Sequence, residues 1–208
     1  MATLGTMKTR IADELARADL TSQIALAITS AIAFYDTRRF WFNETEATFN
    51  TVSGTDVYTA SDAAFISTLI EDDSLTVTVS GKKSPLHKVT FGDIQAERID
   101  AVPAGPPARY AFYRQRLYVA PVPNAVYALI VFHAAALGVP GADGSSNAWT
   151  TEAEELIRLH AKVDLFENVI RDYPEADRMR AREADVLARL SALSNRRASS
   201  GVIRAEYM

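Results

Sequence analysis

The fold is decided by residues 105–123, which read GPPARYAFYRQRLYVAPVP. Tyr110 and Phe112 stand two positions apart, and Leu117 and Val119 repeat that spacing after a polar turn. Because a period of two is typical of a strand with one buried face, the stretch predicts two short antiparallel strands. The prolines that close it cannot donate to a strand ladder, so they mark the end of the second strand.

The same alternation continues on both sides of this hairpin. Residues 127–133 predict a third strand. Residues 45–89 alternate apolar and polar side chains between turn signals, and residues 90–99 predict a short helix. The middle of the chain, residues 45–137, is therefore predicted to be an antiparallel β-rich insertion.

Both ends of the chain carry the three- and four-residue spacing of amphipathic helices. Residues 3–42 predict two helices, and the second has an unbroken row of apolar side chains four positions apart. Residues 151–194 predict two more, the first capped by Thr151 with Glu154 and the second starting near Pro174. The apolar row of the second helix is Leu20, Ile24, Ile28 and Ile32.

The helical spacing stops after Asn195, so residues 196–208 are predicted to be an extended C-terminal arm. Together the patterns predict an α+β fold in a single domain that covers residues 1–195. A bundle of about four helices, drawn from both ends of the chain, holds the β-rich insertion between them.

Composition argues against several classes of protein. The 208 residues carry a formal net charge of -4, whereas a dedicated nucleic-acid binder is usually basic. Cysteine is absent, which excludes disulfides and thiolate chemistry and fits a reducing compartment. The start of the chain lacks the features of a signal peptide, and no apolar run is interpreted as a membrane span.

The order of these elements resembles that of tailed-bacteriophage head-to-tail adaptor, or connector, proteins. The resemblance covers nearly the whole chain, up to about Leu193. The residues that carry it lie at the end of the second helix, in the hairpin and ahead of the third helix. They are Arg39-Phe40-Trp41-Phe42-Asn43-Glu44, Gly105-Pro106-Pro107, Tyr110, Leu117-Tyr118-Val119, Pro121-Val122-Pro123, Tyr127 and Asn147-Ala148-Trp149.

The resemblance implies a structural role in assembly and no active site to transfer. No cofactor or metal is expected, because the sequence contains no motif that would bind one. It implies a homo-oligomeric ring, expected to be a dodecamer, that binds the portal protein at one capsid vertex. The other face of the ring would bind a tail or nozzle protein. Genomic DNA would pass through the channel without sequence-specific binding. The expected location is the neck of the virion, with assembly in the host cytoplasm.

The resemblance also implies that the C-terminal arm reaches toward the portal. The arm has three arginines with one acidic residue nearby, and its apolar side chains favour a protein groove over DNA. A short segment of alternating apolar and polar residues can also add a strand to an exposed sheet edge. The residues expected to contact the portal are Arg196, Arg197, Val202, Ile203, Arg204 and Tyr207.

Two polar clusters admit a metal interpretation, and each is better explained without one. His160 and Asp164 stand four positions apart on a predicted helix, but no third ligand has suitable spacing. Glu71-Asp72-Asp73 lacks the glycine and the distal glutamate of a calcium loop. We interpret the first as a surface pair and the second as an exposed acidic turn.

Two further groups have a binding interpretation and a structural one. Phe40-Trp41-Phe42 is interpreted as core that joins helix and sheet, rather than as a platform that stacks a ligand. The last helix carries arginines interleaved with acids, which predicts ion pairs on a solvated face rather than contact with DNA. These arginines are Arg171, Arg178, Arg180, Arg182 and Arg189.

Two alternatives to the adaptor hypothesis stay open at this point. One is a small α+β enzyme or ligand-binding domain with an unrecognised pocket, which the lack of a convergent catalytic motif disfavours. The other is a DNA-binding accessory factor, which the acidic net charge disfavours.

Overall fold

The computed structural model describes residues 2–99 and 104–198 and confirms the α+β class. The chain forms two compact units. The helical unit contains the residues up to Asn43 and those from Leu137 onward, whereas the β unit is Glu44–Ala136. Division of the chain into a domain of residues 1–195 and an arm stays a prediction.

Six α-helices lie in the described residues, and all but the third belong to the helical unit. Thr3 caps the first of them, since its hydroxyl accepts the N–H of Thr6 at 3.2 Å. The helices are α1 (Leu4–Leu15), α2 (Thr21–Tyr35), α3 (Phe91–Ile99), α4 (Ala148–Thr151), α5 (Glu154–Asp164) and α6 (Tyr173–Ala198).

The predicted apolar row of α2 forms the centre of the helical core. Ile24, Ile28 and Ile32 are all buried, and side chains of α1, α5 and α6 belong to the same cluster. The stretch Ala18–Tyr35 is long and apolar enough to cross a membrane by length and composition, contrary to the sequence-based expectation that no apolar run is a membrane span. Because its isoleucines are buried against other helices, we interpret it as a core helix.

The predicted break between the last two helices is confirmed. α5 continues into the π-helical residues Leu165–Ile170, and Arg171 ends them with a left-handed φ of 63°. α6 then begins at Tyr173, with Pro174 in its first turn. Proline is favoured there because the first turn leaves its N–H groups unpaired in any case.

Two predicted helix limits were wrong. Thr151 is not a cap, because Asn147 accepts the Trp149 N–H at 3.1 Å and starts the short helix α4, in which Thr151 is the last residue. α6 does not end near Asn195 but continues to Ala198. Arginine is a good helix former and is favoured near the negative end of the helix dipole, so Arg196 and Arg197 extend the last turn.

The β unit contains a seven-stranded sheet in the order β1-β7-β3-β4-β5-β6-β2. Its core is a cluster of side chains contributed by strands from both halves of this order, which requires the sheet to curl. The strands are β1 (Glu44–Asn50), β2 (Val57–Tyr58), β3 (Leu69–Val79), β4 (Lys82–Lys88), β5 (Arg109–Phe112), β6 (Leu117–Ala120) and β7 (Ala128–Ala135).

The prediction of an antiparallel insertion is correct for every strand pair but one. β4 and β5 are parallel, with His87 opposite Arg109. Helix α3 separates these strands in sequence, and a connection of this length permits the crossover that parallel neighbours need. The predicted third strand, β7, lies between β1 and β3 and does not pair with the hairpin.

The β5–β6 hairpin that opened the sequence analysis is confirmed. Its two-residue turn consists of Arg114 and Gln115, both with left-handed φ, at 49° and 54°. Tyr113 and Arg116 close the turn, because each donates its N–H to the carbonyl of the other at 3.0 Å. This is the type I′ geometry that suits the strand twist, although Asn-Gly would fit it with less strain.

Strand β1 lies at one edge of the sheet. Thr51 continues its ladder, donating its N–H to the Tyr127 carbonyl at 2.9 Å. Because antiparallel strands alternate, the backbone groups of Glu46, Thr48 and Asn50 must point away from β7. Within the described residues no other strand pairs with that outer side.

Candidate functional site

Trp149 is the centre of an aromatic cluster in the helical unit. It is 0% exposed. The rings of Phe40 and Phe42 stack on each other with centroids 5.1 Å apart, and both meet the Trp149 indole edge-on, at 5.8 and 5.2 Å. The interpretation of Phe40 as core is therefore confirmed, because its ring is buried against another core ring.

The carboxylate of Asp36, just after α2, accepts three hydrogen bonds. It receives the indole N–H of Trp149 at 3.0 Å and the backbone N–H groups of Leu137 and Gly138 at 2.8 and 2.9 Å. Asn147 donates to the Gly138 carbonyl at 2.9 Å. These bonds fix the first residues of the helical unit's second segment against the end of α2.

Trp41 differs from its two neighbours, because it contacts the end of α6. Its backbone N–H donates to the Ser194 hydroxyl at 3.3 Å, and the guanidinium of Arg197 lies over its ring, 4.7 Å from the centroid. A cation over an indole face is an attractive contact. The last turn of α6 is thus held to the helical unit.

Of the six residues predicted to bind the portal, two lie in the described part of the chain. Arg196 and Arg197 are exposed and lie in the last turn of α6, not in an arm. Arg197 is engaged by Trp41. The other four, Val202, Ile203, Arg204 and Tyr207, lie outside the described residues, so the structure brings none of them to a site.

An open groove of about 430 Å³ lies in the helical unit. At its base the His160 Nδ1 lies 2.6 Å from the Glu183 Oε1, and the Tyr35 hydroxyl donates to that same oxygen. Phe34 stacks on the His160 ring, with centroids 4.8 Å apart. The groove is lined by Phe34, Tyr35, Arg38, His160, Val163, Asp164, Glu167, Arg180, Glu183, Ala184 and Leu187.

Two groups at the base of this groove, Glu183 and Tyr35, have shifted pKa values. Burial alone would raise the pKa of Glu183, but hydrogen bonds from His160 and Tyr35 outweigh it and lower that pKa. Burial, together with the bond to Glu183, raises the pKa of Tyr35. Glu183 is therefore held as a charged acceptor, and the cluster is a hydrogen-bonded carboxylate rather than a proton donor poised for catalysis.

The Glu183 cluster predicts how stability depends on pH. The pKa of Glu183 in the folded chain lies below the ordinary value of 4.5. Charged Glu183 therefore stabilises the folded chain above that pH, and this stabilisation is lost as the pH falls through the folded pKa. We expect Glu183→Gln to destabilise the chain at pH 7 and to flatten the loss of stability below about pH 4.5. Denaturant unfolding at pH 3–7 measures both effects. Asp185→Asn, on an exposed site of α6, is the control, and an unchanged acid slope in Glu183→Gln would refute the assignment.

Both metal hypotheses lose their ligands to other partners. His160 pairs with Glu183 and not with Asp164, which accepts the Asn168 amide at 2.6 Å. The predicted acidic turn is wrong, because Glu71, Asp72 and Asp73 lie in strand β3. There Asp72 binds Lys88 and accepts the Tyr110 hydroxyl, each at 2.7 Å. Among the described residues no group of three potential ligands converges.

The ion pairs predicted along the last helix are confirmed for part of its arginines. Arg178 binds Glu175 and Arg180 binds Asp177, both at 3.0 Å and three positions apart. Arg189 reaches α5 and binds Glu155 at 3.1 Å. These pairs cancel much of the positive field that phosphate groups would require.

The family comparison agrees with the order of the elements. A family model described as SU10 adaptor protein matches residues 2–205. The chain belongs to the SU10 adaptor protein family. No curated protein is similar enough in sequence to count as a match.

Membership confirms the resemblance to phage adaptors and makes the chain a structural component of a virion. For an adaptor, the functional sites are the surfaces that meet other virion components. The features described so far serve mostly to hold the helical unit together. In the β unit, the sequence led us to weigh only Glu71-Asp72-Asp73 as a possible charged site.

Two surfaces of the adaptor's β unit stand out. One is the tip of the β5–β6 hairpin, where Tyr113, Arg114, Gln115 and Arg116 are all exposed. The other is an acidic cleft of about 290 Å³ on β1, β3 and β7. The polar run Arg-Gln-Arg between two apolar strands indicates the hairpin tip in the sequence. The acidic cleft can be recognised only when the strand order is known. The acidic cleft is lined by Glu44, Thr45, Glu46, Asp73, Phe132 and His133.

Proposed function

We propose that this adaptor assembles into a ring of about twelve copies that joins the portal to the tail and leaves an axial channel for DNA. The observation that carries the proposal is the family match over residues 2–205. A ring requires head-to-tail contacts between different surfaces of the same chain, closed by rotation. In this proposal the ring lies in the neck of the virion and forms in the host cytoplasm.

The proposed partners are the portal protein on one face and a tail or nozzle protein on the other. Residues from Arg196 onward contact the portal. Two contacts with Trp41 support this proposal. They hold the end of α6, from which the portal-binding residues continue, in a fixed position in the helical unit. DNA passes through without sequence-specific binding, in keeping with the net charge of -4.

Electron microscopy of the purified adaptor mixed with the portal of the same phage tests the ring. We expect particles with one adaptor ring per portal and about twelve copies in the ring when no symmetry is imposed. The adaptor alone is the control, for which monomers are an acceptable result. A single adaptor copy on each portal, or no binding at all, would refute the proposal.

The 430 Å³ groove is the feature that best suits the alternative of an enzyme or ligand-binding domain. Its polar base does not favour that alternative. Glu183 already accepts from His160 and Tyr35, and its lowered pKa is the opposite of what a general acid at neutral pH requires. We therefore assign the groove a structural role in the adaptor.

A further inference from the structure

The tip of the β5–β6 hairpin presents exposed arginine charge. In the β unit, Arg98 pairs with Asp56 and Arg109 pairs with Glu97. The other two arginines, Arg114 and Arg116, have no carboxylate within ion-pair distance among the residues that the structure describes. Both are exposed and both belong to the tip.

The tip is also held in one conformation. Tyr113 is 44% exposed and stacks on Phe91 of α3 with ring centroids 4.2 Å apart. Arg114 and Gln115 keep left-handed backbone angles that glycine would adopt with less strain. Side chains retained at a conformational cost, on a braced turn, point to a role in contact with another molecule.

The acidic cleft has the opposite character. Glu46 is exposed, and no cation of the described residues lies within ion-pair distance of it. Phe132, directly opposite Glu46 in the ladder, is 39% exposed for a large apolar side chain. The cleft thus combines a carboxylate with an apolar ring, which complements a tip that carries arginine and tyrosine.

We propose that the β5–β6 tip of one adaptor copy docks in the acidic cleft of the next copy, and that this contact is repeated around the ring. Arg114 and Arg116 face Glu46 of the neighbouring copy, and Tyr113 packs near the neighbour's Phe132. The inference rests on the proposed function, because it names the subunit contact of the proposed ring.

The sheet topology is compatible with a head-to-tail contact between copies. β5 ends at the same end of the sheet at which β1 starts, because β5 is parallel to β4, β4 and β7 are both antiparallel to β3, and β1 is antiparallel to β7. Glu46 is two residues from that end of β1. In the strand order the tip lies on the fifth and sixth strands and the cleft on the first three. The tip and the cleft are therefore different surfaces of one chain, as a head-to-tail contact requires.

Charge reversal tests the contact in the full chain. Arg114→Glu with Arg116→Glu should weaken ring formation on the portal by about tenfold or more, because carboxylates would then face Glu46. Glu46→Arg alone should weaken it similarly. The triple variant, with both surfaces reversed, should recover most of the lost assembly, since the complementary pairing is restored. Lys82→Glu with Lys83→Glu, on the β3–β4 hairpin, is the matched control and should assemble like the original chain.

The readout is the fraction of portal particles that carry a complete ring, counted by electron microscopy and checked by native mass spectrometry. Circular dichroism and the thermal midpoint confirm that each variant is folded. If the original chain forms rings and the tip reversal leaves them intact, this contact is refuted while the adaptor proposal stands. If the tip reversal and Glu46→Arg each prevent ring formation and the triple variant does not restore it, the pairing of these residues is refuted. If the original chain forms no ring, the proposed function fails first.

Discussion

Replacing Trp149 with alanine should lower the free energy of unfolding of the helical unit by about 3–5 kcal/mol. The indole is 0% exposed and lies against two phenylalanine rings, so its removal leaves a large cavity. It also removes the N–H that Asp36 accepts at 3.0 Å. Denaturant unfolding followed by fluorescence measures the change, because the chain's other tryptophan, Trp41, remains as the reporter in this unit.

Two further variants separate packing from hydrogen bonding. Trp149→Phe keeps most of the ring volume but removes the donor to Asp36, so we expect a smaller loss than for alanine. Trp41→Ala is the control for loss of an indole, because Trp41 is only partly buried and should cost less. Equal losses for Trp41→Ala and Trp149→Ala would contradict the central position given to Trp149.

Removing residues 199–208 should weaken binding to the portal by about tenfold or more while leaving the thermal midpoint almost unchanged. The proposed portal contacts Val202, Ile203, Arg204 and Tyr207 are lost in this truncation, whereas α6 is kept to its last residue, Ala198. Binding to immobilised portal and a thermal scan measure the two effects. Undiminished binding would place the contact elsewhere, and early unfolding would show that the segment stabilises its own chain.

A second truncation, after Asn195, uses the observed end of α6. It also removes Arg197, which lies 4.7 Å from the Trp41 ring centroid. A cation over an exposed aromatic ring is worth about 0.5–1 kcal/mol, so the midpoint should now fall slightly. Salt separates the anchors on the portal: affinity that falls steeply with ionic strength indicates the arginines, and a flat response indicates the apolar residues.

Local patterns were sufficient to predict most elements. The period of two in residues 105–123 predicted β5 and β6, and the four-residue spacing from Leu20 to Ile32 predicted the buried face of α2. The prediction of α2 succeeds because a helix with one buried face repeats its apolar residues every three to four positions. In β5 and β6 the period of two marks the face toward the sheet core, although the other face is also buried, against α3. Pro174 likewise marked the start of α6, since its fixed φ suits only that part of a helix.

Relations between distant segments could not be predicted in this way. Nothing near Ala128–Ala135 indicates that β7 inserts between β1 and β3, because strand order depends on contacts far apart in the chain. His160 was paired with Asp164 on spacing alone, whereas its carboxylate partner is Glu183 on another helix. The acidic cleft of the β unit could be recognised only from the strand order, which places Glu46 opposite Phe132.

The open edge of β1 could pair with the same edge of another copy before the ring assembles. Two copies could join their β1 edges antiparallel, as a closed pair that would withdraw both from the ring. In a full-length overlap of that kind, the two Glu46 side chains would lie within about 8 Å, the distance over which charges act at physiological salt. The negative charge of β1 therefore opposes mispairing at neutral pH. Removal of this charge by Glu46→Gln should therefore let self-paired, assembly-incompetent copies accumulate.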